Sequence, residues 1–282
     1  MANRNDFSTI AYSRMLPEYD RELFVQEYDD RILPYGKPIT NGLIGVELTK
    51  ELNNAWGMVP EAEYEKGDVW IQNTDASSMR YIQRERPCWH LTQLMDLDFT
   101  KTPDPFLQRF NEVGGTSFRN ETLDPKYEFK LRSRYKDLKI WQWINDVLPF
   151  KKINGVHCVS LPEGGFAAIH RDQKGLYGVT SSAGHNKLYS MGYVVIVINV
   201  SSGGVPLYWA LDGADAKKAI LTDDPLYMSN DYFLHGVPIC TSRRRQVRVI
   251  GIPKPEMWDL MDHSTTIDLG SDYQFKPGFV YS

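Results

Sequence analysis

Cysteine is scarce in this 282-residue chain: Cys88, Cys158 and Cys240 lie far apart and form no C-x-x-C pair. That excludes a disulfide scaffold and a thiolate zinc cluster, and it fits reduced thiols in a cytoplasmic protein. Long apolar runs are missing too. The longest covers residues 193–200 and is interrupted by Asn199, well short of the ~20 residues that cross a bilayer. The first residues have neither the basic head nor the apolar core of a secretory signal. The expectation is a cytoplasmic location with no membrane partner. There is no excess of positive charge either: 32 Lys and Arg stand against 36 Asp and Glu, a net charge of −4. This argues against nucleic acid as a partner. No internal repeat or low-complexity tract is evident. At 42% apolar and 24% charged residues, the chain is not disordered, collagen-like or a coiled coil. A chain of this length buries roughly 75% of its unfolded surface, so it needs no metal merely to fold. Any metal site in it has to be explained by chemistry.

What is abundant is aromatic: 12% of residues, with 16 Tyr and 7 Trp. Such side chains build cores and also line ligand pockets. The texture of the chain changes near residue 150. Before it, helical and irregular signals dominate. Residues 17–33 carry Leu23, Phe24, Tyr28 and Ile32 near one helical face and stop before Pro34. Residues 42–52 read as a strand running into a short helix, 68–73 and 79–84 as short strands, and 105–113 as a short helix. Residues 137–148 form the clearest helix: Asp137 is placed to cap it, Leu138, Trp141, Ile144 and Leu148 share a face, and Pro149 ends it.

After residue 150, short β-rich segments follow one another: 156–161, 166–170, 187–191, 193–200, 205–211, 219–222, 226–229, 232–235 and 245–252. Turn-formers such as Gly164-Gly165, Gly203-Gly204 and Asp212-Gly213 separate them. This spacing predicts a mainly β fold with flanking α, a barrel or jelly-roll core rather than an alternating α/β sheet. One domain is expected over residues 1–282. Residues 1–150 buttress it, 151–252 form the core, and 253–282 are a tail with one helical turn at 256–261.

The chemistry concentrates in His170-Arg171-Asp172 and in His235. Residues two apart at a strand end point to the same side, so His170 and Asp172 can reach one point. His235 closes another short strand. Two imidazoles and one carboxylate occupy one face of an octahedral metal and leave three positions open, which suits Fe(II) with a chelating co-substrate and O2. Beyond His235, a turn leads to Arg243-Arg244-Arg245-Gln246-Val247-Arg248-Val249. An antiparallel return brings one of these arginines back beside the metal, where it can hold a carboxylate. Arg245 alternates with Val247 and Val249 and is favoured; Arg243, of the same parity, and Arg248 are the alternatives.

The segment 161–165 leading to His170 and Asp172, the segment 226–237 ending around His235, and the arginine strand together resemble the Fe(II)/2-oxoglutarate-dependent dioxygenases over residues 150–252. The resemblance implies a double-stranded β-helix core of the jelly-roll or cupin-like kind. It implies Fe(II) held by His170, Asp172 and His235, and 2-oxoglutarate held through its far carboxylate by Arg245, Arg243 or Arg248. It also implies hydroxylation of a C–H bond of an amino acid-like small molecule or a protein side chain, with succinate and CO2 as co-products. The filled carboxylate position argues against halogenation. The N-terminal half carries no motif of a particular member.

Three other readings compete. His170-Arg171-Asp172 also occurs as a protein-kinase tripeptide, but Tyr177 stands where Asn is needed and no Asp-Phe-Gly follows. A non-redox cupin-type metal protein, an isomerase or ligand-binding protein, would add a further His or Glu ligand and lack the inward arginine. A non-enzymatic β-sandwich interaction module would leave the histidines incidental. His157 reads as a packed strand residue and His185 as a loop residue, while His90 and His263 have no assigned role. Asn199, Lys187, Tyr189 and Trp209 fall on strands and are equally pocket or packing residues. Trp141 and Trp143 read as core.

Overall fold

Short β-branched segments bounded by glycine and aspartate turns form strands here, as their alternation requires. The computed structural model describes residues 10–15, 17–38, 44–47, 79–82, 90–98, 100–101, 128–170, 194–210, 218–221, 224–229 and 234–268. The chain is mostly β, with a few helices. The strands are β1 (Ile10–Ser13), β2 (Lys37–Pro38), β3 (Ile44–Glu47), β4 (Met79–Ile82), β5 (His90–Gln93), β6 (Met95–Leu97), β7 (Phe129–Leu131) and β8 (Phe150–Leu161). They continue with β9 (Ala167–His170), β10 (Val194–Ser202), β11 (Leu207–Ala210), β12 (Lys218–Leu221), β13 (Leu226–Ser229), β14 (Leu234–Val237), β15 (Arg244–Pro253) and β16 (Thr265–Asp268). The helices are α1 (Arg21–Glu27), α2 (Lys139–Val147) and α3 (Glu256–Asp262). The expected strand at 187–191, the helix at 105–113, and the segment 68–73 lie outside the described residues.

Two antiparallel sheets organise the second half. A six-stranded sheet runs β13-β10-β15-β8-β5-β2, and a four-stranded sheet runs β12-β11-β14-β9. Smaller pairs join β3 to β4, β6 to β7 and β1 to β16. The turn from β10 to β11, which carries the chain from the six-stranded to the four-stranded sheet, passes through Gly203 and Gly204, whose φ of +71° and +76° favour glycine.

The six-stranded sheet is buried on both faces, and strand parity separates the two. Val156, Cys158, Ile196, Ile198, Leu226, Met228, Val247 and Val249 belong to the main apolar cluster together with Phe24, Tyr28, Ile32, Ile140 and Ile144 from the helical segments. Those helical segments therefore cover the odd-numbered face of β15. The alternate residues turn to the four-stranded sheet: Trp209 of β11 packs edge-on against Tyr227 of β13, with ring centroids 5.1 Å apart.

The first 150 residues contribute strands as well as the expected helices. β5 and β2 extend the six-stranded sheet beyond β8, through pairs such as Leu91 with Val159 and Lys37 with Leu91. The helix expected over residues 17–33 begins only at Arg21, and α1 passes into a π-helical turn at Tyr28–Ile32 and a 3-10 turn at Leu33–Tyr35 that includes Pro34. Phe24, Tyr28 and Ile32 are buried while Leu23 is 39% exposed, so the apolar stripe is narrower than the sequence implied. Asp20 caps α1 by accepting from the Leu23 N–H at 3.0 Å.

The cap of α2 departs from the expected one. Asp137 receives both guanidinium nitrogens of Arg31, at 2.9 and 3.0 Å. The first N–H groups of α2 are instead taken by the Glu27 carboxylate, which accepts from Lys139 N at 2.7 Å and Ile140 N at 2.8 Å. Leu138, Ile144 and Leu148 are buried as predicted, Ile140 joins them, and Trp141 is half-buried. Among the described residues no helix is long and apolar enough to cross a membrane.

Candidate functional site

Two of the expected ligands, His170 and His235, stand at paired positions of the four-stranded sheet. On the four-stranded sheet, His235 of β14 is the cross-strand partner of His170 of β9 and, on its other side, of Trp209 of β11. Trp209 in turn pairs with Ala219 of β12. One row across the sheet thus reads Ala219, Trp209, His235, His170. Residues separated by 65 positions in sequence become neighbours because β14 and β9 are adjacent and antiparallel. A register shift lies between His235 and Val237; such irregularities bend a strand and re-aim its side chains. His235 is half-buried and Trp209 is 1% exposed. Asp172 lies outside the described residues, as do His185, Lys187 and Tyr189. Among the described residues no group of three or more His, Cys, Asp and Glu side chains is gathered.

Facing this row, the six-stranded sheet presents a matching one. Tyr227 pairs with Val197, Val197 with Arg248, Arg248 with His157, and His157 with Gln93. Since Tyr227 meets Trp209, this row turns towards the four-stranded sheet. Arg248 thereby brings a positive charge into the inter-sheet space. Burial, with that charge beside it, lowers His157 to about 3. The His157 ring is therefore neutral near pH 7. Burial also raises the Tyr227 phenol, with Arg244 and Arg248 pulling the other way, so it stays protonated and able to donate.

A buried polar network closes one end of the space. With its amide oxygen turned inward, Gln246 accepts from Tyr227 Oη and Arg244 Nη2, both at 2.8 Å, and from Arg244 Nε at 3.1 Å. Arg244 Nη1 donates to the carbonyls of Ser202 at 2.7 Å and Val205 at 3.1 Å. Arg244 is 2% exposed, yet its donors are shared among backbone and amide oxygens. The neighbouring Asn199, paired with Gln246 across the strands, keeps a buried Oδ1 with no hydrogen-bond partner among the described residues.

The three nominated arginines therefore go to different places. Arg245 is on the apolar face, as its alternation implied, but that is the face the helical segments cover. Its Nε and Nη2 donate to the two Asp29 carboxylate oxygens at 2.7 and 2.6 Å, and Nη1 donates to Ser201 Oγ and the Arg243 carbonyl. Arg243 lies on the same side and donates to Ser160 Oγ at 3.1 Å. Arg248 alone of the three turns between the sheets. Period-two alternation could group these residues, but it could not say which buried face holds the site. The sequence assigns no site role to Gln246, Tyr227 or His157. The available signal was the polar parity of 244, 246 and 248 on a strand buried on both sides.

No protein-family profile matches the chain, and no curated protein matches it. Solved structures do align with it at low similarity. An oxidoreductase of the 2OG-Fe(II) oxygenase family from Burkholderia pseudomallei is 9% identical, with 58% of this chain and 68% of that chain covered and a TM-score of 0.28. A prolyl-4-hydroxylase from Pseudomonas putida is 11% identical over 82% of this chain and 97% of that one, at 0.27. HygX from Streptomyces hygroscopicus, solved with nickel, 2-oxoglutarate and hygromycin B, is 10% identical over 83% and 88%, at 0.28.

Proposed function

We propose that this chain is an Fe(II)- and 2-oxoglutarate-dependent oxygenase built on a double-stranded β-helix. The observation that carries the reading is the register of His235 opposite His170. Two residues of the expected ligand set are cross-strand neighbours on a sheet that packs against a second sheet. The strand orders β13-β10-β15-β8 and β12-β11-β14-β9 support the β-helix reading, because from β8 to β15 the chain alternates between the two sheets except at the β11–β12 pair.

In this reading His170, Asp172 and His235 hold the iron. The metal, with O2 and 2-oxoglutarate, supplies the oxidising power for C–H hydroxylation, giving succinate and CO2. The protein supplies the walls. Arg248 holds the far carboxylate of 2-oxoglutarate, because a guanidinium out of water attracts a carboxylate strongly. The neutral His157 beside it adds no competing charge. Trp209 and Tyr227 keep water from the row that carries His235, and Asn199 Oδ1 accepts a hydrogen bond from a bound group. Arg245, already paired with Asp29, is structural. The substrate is an amino acid-like small molecule or a protein side chain.

The test is anaerobic addition of Fe(II) and 2-oxoglutarate, read as metal-to-ligand charge-transfer absorbance, followed by succinate formation in air. His235→Ala should abolish both while the circular dichroism spectrum stays native. Arg248→Ala should raise the 2-oxoglutarate requirement about ten- to a hundredfold, the loss of one charge-assisted contact of roughly 1.5–3 kcal/mol. No absorbance in the native protein would reject the oxygenase reading. The same rise from Arg245→Ala instead would reassign the anchor.

A further inference from the structure

A second polar cluster lies on the opposite face of the six-stranded sheet, beside the π-helical turn. His90 of β5 and Ser160 of β8 are cross-strand partners, and Ser160 pairs on its other side with Arg245. Arg243 donates from Nη1 to Ser160 Oγ at 3.1 Å. Among the described residues no carboxylate reaches the Arg243 guanidinium. Asp29, presented by the π-helical turn, is gripped by both ends of the Arg245 fork. His90 Nδ1 is sealed from solvent and, among the described residues, has no hydrogen-bond partner.

These two features have the same remedy. A half-buried guanidinium held, among the described residues, by a neutral hydroxyl and a buried ring nitrogen with no partner among them each carry a desolvation cost. An oxygen atom with negative charge, accepting from an Arg243 N–H and from His90 Nδ1–H together, satisfies both. Ser160, 1% exposed, accepts from the guanidinium, so Arg243 is held in place before any ligand arrives. We propose that Arg243, His90 and Ser160 form a binding site for a carboxylate or phosphate oxyanion, separate from the inter-sheet space. Burial and the adjacent Arg243 charge depress the His90 ring below its ordinary pKa; a bound anion reverses the second of these effects.

The experiment uses the full chain carrying His235→Ala, so that a metal in the inter-sheet space does not contribute. Inorganic phosphate and acetate are titrated separately at constant ionic strength, with the His90 ring resonances followed by NMR and the heat by calorimetry. The expected result is a saturable His90 shift with at least one probe, weakened at least tenfold by Arg243→Gln and only a few-fold by Arg243→Lys. Saturation by one probe and not the other identifies the source of the oxyanion. A flat His90 titration with both probes, or saturation unchanged in Arg243→Gln, overturns the proposal. Should Arg243→Gln fail to fold, Arg243→Lys and Ser160→Ala, each expected to bind more weakly, decide it in the same way. Neither outcome depends on whether the chain proves to be an oxygenase.

Discussion

At the scale of single residues, the arginine strand separates charge that stabilises from charge that binds. Arg245 and Asp29 form a two-pronged ion pair that is mostly withdrawn from water on the arginine side. Arg245→Ala leaves Asp29 without its partner and should lower unfolding stability by roughly 1–3 kcal/mol, read by chemical denaturation. Its succinate yield per folded molecule should be unchanged. His157 makes a second residue-scale prediction. Its folded value near 3 lies below the ~6.5 of an unfolded histidine, so the unfolded chain binds the extra proton first. The stability that comes from keeping His157 neutral is complete above about pH 6.5 and is lost as pH falls towards 3. Denaturation midpoints of His157→Gln should therefore fall less steeply than those of the native protein across that window.

At the scale of elements, α2 owes its start to a residue 112 positions earlier in the chain. Glu27→Ala removes the acceptor for two helix N–H groups and should cost about 0.5–2 kcal/mol, measurable as a lower melting temperature. Asp137→Ala should act through Arg31 at an exposed site and cost less. Gly204→Ala forces a Cβ into a left-handed backbone and against Thr241 Oγ1. A penalty of roughly 1–2 kcal/mol follows from the backbone alone. These cases also mark what the sequence made legible. The strand at Leu226–Ser229 was readable with its bounds, because turn residues bracket a β-rich run. The cap by Glu27 was not, since local capping rules point to Asp137 and the real acceptor arrives through tertiary packing. β5, β6 and β7 are three or four residues long, too short for a period to appear, and pairing with neighbours is what makes them strands.

At the scale of the whole molecule, the sequence marks the two candidate histidines but not their relation in space. The two histidines could be matched by type and strand context, and their register now makes them neighbours. The arginine could not be chosen from the sequence, because β15 is buried on both faces. One face meets the helical segments, the other meets the second sheet, and alternation reads the same in each case. A further whole-molecule expectation concerns metal dependence. The apolar cluster spans sheet and helical segments without drawing on His170 or His235. Chelation should thus change the melting temperature only modestly while removing turnover.

The pairing of β1 with β16, which sets Ile10 against Asp268 and Ser13 against Thr265, has a consequence for how the chain comes to be folded. Synthesis delivers β1 first and β16 more than two hundred and fifty residues later, and β8 likewise waits for β15. Contacts so distant in sequence make folding slow. While the ribosome works, the edges of β8 and β10 stay open to other chains. Pulse-labelled chains released before residue 244 should stay protease-sensitive and chaperone-bound, and protection should appear abruptly once β15 has left the exit tunnel.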